Sequence, residues 1–342
     1  MKLKFIDLQE MKPELQTCPY CGGIERIGIH SRKKRRYKCH NCNRTFTETK
    51  GTVFYGLHYP TWVVVLVLTL LARGCPVQAI VVAFVIDERT VCAWLERAGS
   101  HGKSIQENLV CNGKIELAQI QADELCVKTQ KGKVWMATAM DVFSRLFIWG
   151  EVSKERTRSM ILRVMEKVKA AAKDSKAVIL FAVDGFRAYP KAIFKTFYTK
   201  IYTGKRGRPS HKIWENIHIA QVVKSHKGRK LDKISRKVIH GSIDMAFEII
   251  AVTQVGLGMI NTAYIERLNA TFRARMPSLV RRTRNLALLP KRLEAEMFWS
   301  GVVYNFCTTH STLGETPAVA AGITDKKWSV KELLFYTFLT KT

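Results

Sequence analysis

The sequence predicts an α/β protein in which a mixed sheet flanked by helices follows a small cysteine ribbon and a helical segment. Three observations carry this expectation. Two Cys-x-x-Cys pairs stand near the N-terminus with seventeen residues between them. Three strand-like segments joined by turns, and then one helical segment, fill residues 115–172. The run Val178-Ile179-Leu180-Phe181-Ala182-Val183 is continuously apolar, as in a strand buried on both faces.

Composition narrows the class. The 342 residues include 56 Lys and Arg against 28 Asp and Glu, a net charge of +28, with 47% apolar and 10% aromatic residues. That apolar content excludes a disordered tail, and the length suits two or three domains. The positive surplus points to a polyanion, nucleic acid above all, without separating an enzyme from a passive binder.

The first expected domain, residues 1–55, is a zinc ribbon. Cys18, Cys21, Cys39 and Cys42 supply four soft thiolates at the spacing of a closed tetrahedral Zn²⁺ site. A redox pair is the alternative, but a redox motif would not recur at this separation. Gly22-Gly23 provides the tight turn after the first pair. Between the pairs, Arg32, Lys33, Lys34, Arg35 and Arg36 form a basic run suited to DNA phosphate, or simply a solvated face. The other five cysteines are scattered beside apolar residues, as reduced core thiols are, and residues 1–7 contain no apolar leader. The expected compartment is therefore the cytoplasm.

Residues 56–108 form the second expected domain. The apolar stretch 62–86 is broken by Arg73-Gly74-Cys75-Pro76, which leaves halves too short for the roughly 20 residues of a membrane span. Two buried helices are expected instead. Pro76 suits the first turn of a helix reaching about Ile86, residues 87–90 turn, and a second helix over 91–98 ends at Gly99. This reads as a helix-turn-helix whose second helix enters a major groove, with a plain helical bundle as the alternative. Ser100-His101-Gly102-Lys103-Ser104 is expected to begin a linker.

The third expected domain, residues 109–325, carries the acids. Strands over 115–127, 134–140 and 146–149, a helix over 155–172 and the strand ending at Asp184 follow in order. Three meandering strands, a helix, then a strand beside the first is the ribonuclease H-like arrangement, and it sets Asp123 and Asp184 on neighbouring strands. An ionised Asp at the end of a buried strand requires a cation, and ligands gather at the carboxyl ends of such strands. A helix over 263–276 has the apolar stripe Ile265, Leu268, Phe272 and Met276, with Glu266, Asn269 and Arg273 along its edge. Asp123, Asp184 and Glu266 together would hold two Mg²⁺ (or Mn²⁺) ions about 3.5–4 Å apart for in-line displacement at phosphorus. Asp141 is a rival acid, but it falls at a hairpin turn, and Glu124 should point to the opposite sheet face.

With these residues in view, the sequence resembles the DDE transposases of the IS1 insertion-sequence family of bacteria and archaea. The resemblance spans nearly the whole chain: the four-cysteine ribbon, the two helices, Ala122-Asp123-Glu124, Val183-Asp184-Gly185 and the segment 261–269. It extends through Tyr304-Asn305-Phe306, His310, Leu313, Thr316-Pro317-Ala318 and Ala321-Gly322. Its most specific part is the acid triad with a basic residue, Arg273, seven positions after the Glu. The resemblance implies a ribonuclease H-like core, Mg²⁺ chemistry and binding of double-stranded DNA at inverted repeats. Pairing of two ends further implies a homo-oligomer, at least a dimer, associated with the nucleoid.

Asp184 and Glu266 are 82 positions apart, which suggests a basic insertion over about 199–258. Lys205-Arg206-Gly207-Arg208-Pro209 resembles an AT-hook core, or is a generic DNA-facing loop. Arg273, Asn269, Lys205, Arg206 and Arg208, with the basic run of the ribbon, are the expected phosphate contacts. Lys224 to Lys237 and Arg281-Arg282-Thr283-Arg284 add further positive surface. A tail helix is expected over 326–342. The rival readings are a non-catalytic DNA-binding regulator that kept the fold, and a nuclease without strand transfer.

Overall fold

A computed structural model of the protein describes residues 16–337 apart from 174–175, 177, 203, 205–207, 229, 255–257 and 281–288. Lys205, Arg206 and the cluster at 281–284 therefore lie outside the described residues. The chain divides into two units, Met1–Leu70 with Trp328–Thr342, and Leu71–Lys327.

In the smaller unit, β1 (Ile27–Ser31), β2 (Arg36–Cys39) and β3 (Thr45–Thr47) form an antiparallel sheet in that order. Its core is small: Tyr37 and Phe46, with ring centroids 5.7 Å apart, beside Cys18 and Cys39. The helix α1 (Thr61–Ala72) runs across the boundary between the units.

The larger unit begins with α2 (Val77–Phe84) and α3 (Glu88–Ile105). The apolar stretch 62–86 thus forms two helices broken at 73–76, and no helix among the described residues is long and apolar enough to cross a membrane. Gly99 does not end a helix. It lies inside α3, as do residues 100–104, where a linker was expected. The reason is a close approach: a Cβ at Gly99 would stand 2.4 Å from Ala295 Cα. Glycine is here a contact residue between helices rather than a cap.

The sheet follows: β4 (Gln119–Thr129), β5 (Gly132–Asp141), β6 (Phe147–Ser153), α4 (Arg158–Ala171), β7 (Ile179–Asp184) and α5 (Ala188–Thr196). Next come a two-stranded ribbon, β8 (Tyr198–Ile201) with β9 (Ser210–Ile213), and then β10 (Ile217–Lys227) and β11 (Lys230–His240). The helices α6 (Ile243–Thr253), α7 (Ala263–Arg275), α8 (Pro290–Cys307) and α9 (Pro317–Ala320) complete the unit. The six-stranded order is β11-β10-β7-β4-β5-β6, with β4, β7 and β10 parallel and the other pairs antiparallel. Residues 199–258 are thus not an insertion outside the core. They supply two strands of the sheet and α6, whose Ala246 and Ile250 are buried against Leu180, Ala220 and Val222. Alternation along β4 sorts the helices: Gln119, Gln121 and Asp123 meet α6 and the α7 region, and Glu124 meets α5 on the other face. The segment after α9 ends in α10 (Val330–Phe335), which belongs to the smaller unit; the Phe335 ring lies 4.6 Å from that of Phe54. The expected tail helix is therefore shorter than 326–342, and residues 338–342 lie outside the described residues.

Candidate metal centres

The first centre lies in the ribbon. Sγ atoms of Cys18 and Cys42 stand 3.6 Å apart, those of Cys21 and Cys39 3.7 Å, and all four lie within 4.8 Å of one another. Thiolates 2.3 Å from a tetrahedral zinc would be about 3.8 Å apart, so the donor set fits Zn²⁺. Backbone N–H groups of Cys42 and Asn41 pull the Cys39 thiol down to about 7, whereas burial pushes the Cys18 thiol up to about 12. Of the adjoining basic run, Arg32, Lys33 and Lys34 are exposed at the β1–β2 turn. Arg35 pairs with Glu48 at 2.9 Å, and Arg36 donates to Thr45 Oγ1 at 2.7 Å.

The second centre is a cleft of about 830 Å³ at the carboxyl end of β7. Its floor follows from register: Ala122 pairs with Val183 and Gln121 with Ala182, so Asp123 and Asp184 continue the parallel ladder side by side on one face. Helix α7 brings Glu266 and Arg273 to the same cleft. That helix is docked by β4 itself, because Gln121 Oε1 accepts from the N–H groups of Tyr264 (3.1 Å) and Ile265 (3.0 Å). Two free helix donors at its N-terminus are thereby satisfied from the sheet. Asp123, Asp184, Glu266, Asn269 and Arg273, the three acids and two of the phosphate contacts expected from the sequence, line this one cleft.

Their roles divide differently from expectation. The acids whose oxygens lie within 4.8 Å of one another are Asp123, Glu124 and Asp184. Glu266 lines the cleft but is exposed, with its Oε1 accepting from Lys224 Nζ of β10 and from Thr262 Oγ1 at 2.8 Å. Asn269, expected at phosphate, is buried; its Nδ2 donates to Asp123 Oδ2 at 2.9 Å, and its Oδ1 accepts from Thr138 Oγ1 at 3.1 Å. It orients an acid. Arg273 is half-buried and makes no ion pair among the described residues. Arg208 is exposed, outside the cleft lining. Asp141 is held in its turn by the N–H (2.8 Å) and Oγ (2.7 Å) of Ser144.

Electrostatics mark the floor as cation-seeking. Burial, then the charges of Glu124 and Asp184, pushes Asp123 up to about 6. Burial likewise raises Glu124 and Asp184. A hard divalent cation would relieve the repulsion that the charges of Glu124 and Asp184 exert on Asp123.

Arg156, Tyr189 and Arg187 are not foreseen from the sequence, and Lys224 is expected there only as part of a general positive surface. Arg156 pairs with Glu124 and stands 3.5 Å from Asp184 Oδ2; Tyr189 Oη donates to Glu124 Oε2 at 2.7 Å. The one available signal was the demand of a buried strand-end acid for a cation, which does not say which of 56 basic residues answers it. Comparison of the chain with protein-family models and with curated proteins returns no match.

Proposed function

We propose that this chain is a DDE transposase of the IS1-like kind, which binds the ends of its element in double-stranded DNA, hydrolyses the phosphodiester there and transfers the 3′-hydroxyl to target DNA. The observation that carries the reading is the convergence of Asp123, Asp184, Glu266 and Arg273 on one cleft from two parallel strands and a helix. The strand order β6-β5-β4-β7-β10, three antiparallel strands then two parallel ones, supports a ribonuclease H-like core.

Bound Mg²⁺ or Mn²⁺ would supply the charge neutralisation and oxygen activation that phosphoryl displacement needs. The residues divide the remaining work. Asp123 and Asp184 would hold the ion, and Asn269 donates to Asp123 and so orients its carboxyl. Glu266, which pairs with Lys224, would be the third ligand. Arg273 and Arg187, in the cleft wall, bind the backbone phosphates. End recognition falls to the zinc ribbon, through Arg32, Lys33 and Lys34, and to α2 and α3 read as a helix-turn-helix, with Arg89 and Arg97 exposed on α3. Joining two ends requires at least a dimer.

The test uses labelled duplexes carrying the DNA that flanks the reading frame. The wild-type chain should nick at the ends and join them to a second duplex with Mg²⁺ or Mn²⁺. Asp184→Asn should lower nicking at least about 100-fold while end binding persists. Nicking without joining indicates a nuclease, and binding without nicking a regulator. Retained nicking with lost binding in Asp184→Asn refutes the assignment.

A further inference from the structure

The acids nearest one another are not equivalent. Glu124 leaves the others at the level of its partners: its side chain is 1% exposed, Oε1 accepts from the Arg156 guanidinium, and Oε2 accepts from Tyr189 Oη. A dication drawn to Glu124 would have to displace a guanidinium already bound there. Asp123 and Asp184 face the cleft from the opposite side of the sheet, by the alternation of β4 and its register with β7. The three acids still approach because β4 runs on to Thr129 whereas β7 ends at Asp184, so the two faces meet around the strand end.

Arg156 is held as firmly as its acid. Its guanidinium carbon lies 4.1 Å from the Phe186 ring centroid and 5.1 Å from that of Trp135. Nε and Nη2 face Glu124, and Nη2 also faces Asp184. The remaining amino group, Nη1, has no partner among the described residues, and the side chain, 36% exposed, lines the cleft with Arg187, Lys224 and Arg273. A planar fork with two donors spent on a buried carboxylate and others free is pre-set for a phosphate oxygen.

We propose that Arg156 is a phosphate-contacting residue of this cleft, and that Glu124 with Tyr189 positions it, so that Glu124 is not a metal ligand. The identity of the phosphate as DNA backbone rests on the function proposed above; the assignment of Glu124 does not.

The test has two arms on the full chain. In the first, Mn²⁺ is titrated into the wild type, Asp184→Asn and Glu124→Gln. Glu124→Gln should keep most of the Mn²⁺ affinity, whereas Asp184→Asn should lose at least about tenfold. Tyr189→Phe, which removes one hydroxyl, serves where Glu124→Gln does not fold, and it too should keep the affinity. Equal losses in Asp184→Asn and in the clamp variant overturn the proposal. In the second arm, duplex binding is followed against salt without added divalent ion. Arg156→Ala should flatten the log–log slope by about one, the signature of a lost phosphate contact, and Arg156→Lys should restore most of that slope. An unchanged slope in Arg156→Ala overturns the phosphate assignment. A wild type that binds duplex but never nicks would remove the transposase reading, while both arms still decide the clamp.

Discussion

Asp123 illustrates how much a single side chain at this strand end is asked to tolerate. Its carboxyl is held at about 6 against an ordinary 3.8, first by burial and then by Glu124 and Asp184. A raised acid binds more protons folded than unfolded between those two values, so this group favours the folded state at low pH and loses that contribution as pH rises through 6. At about 1.4 kcal/mol per pKa unit the effect is bounded near 3 kcal/mol. The metal-free protein should therefore become less stable from pH 4 to 7 through this site, and Asp123→Asn should remove much of that slope in thermal melts. Added Mg²⁺ should raise Tm more at pH 7.5 than at pH 5; an equal shift at both would mean the ion binds elsewhere. Neighbouring residues show what was legible beforehand. Asp184 could be read because a long apolar run ending in Asp-Gly has few meanings. The orienting role of Asn269 could not, because a polar residue beside an apolar stripe has the same spacing whether it meets phosphate or a buried carboxylate.

At the scale of elements, α3 and α8 approach closely enough that the glycines of α3 become contacts. Gly99 faces Ala295, and a Cβ at Gly102 would stand 3.0 Å from Val302 Cγ2. In an open helix Gly→Ala gains up to about 1 kcal/mol from propensity. At Gly99 the added methyl meets backbone, so overpacking by about 1–3 kcal/mol should win and Gly99→Ala should lower the denaturation midpoint. An increase would show that the helices part without cost. Gly99 reads as a stop in the sequence because a terminal glycine and a contact glycine look alike in one chain. The misreading of β10 and β11 has a related cause. Lys224, Lys227, Lys230, Lys233, Arg236 and Lys237 decorate a hairpin whose inner positions, Ala220 and Val222 among them, are buried, and their charge hides the period-two pattern. The strands β4 to β7 carried no such load, and their order was readable.

The whole chain joins two units that resist unfolding by different means. The larger one rests on an apolar core under a six-stranded sheet, with Trp149, Phe181, Phe272 and Phe298 all at most 1% exposed. The ribbon has little beyond Tyr37, Phe46 and four sulfurs to organise three short strands. A core that small depends on a metal or cross-link, and all nine cysteines are free. Its stability should therefore be set by Zn²⁺, and that of the sheet should not. Removing zinc with a thiol-selective chelator, or substituting Cys39→Ser, should bring β1–β3 amides to fast hydrogen exchange while β4, β5 and β7 remain protected. Mn²⁺ affinity at Asp123 and Asp184 should stay within about twofold, because no ligand of that site lies in the ribbon. If chelation instead released the sheet amides together with the ribbon, the division of stability drawn from the two cores would be wrong, and zinc would have to be counted among the determinants of the acidic cleft.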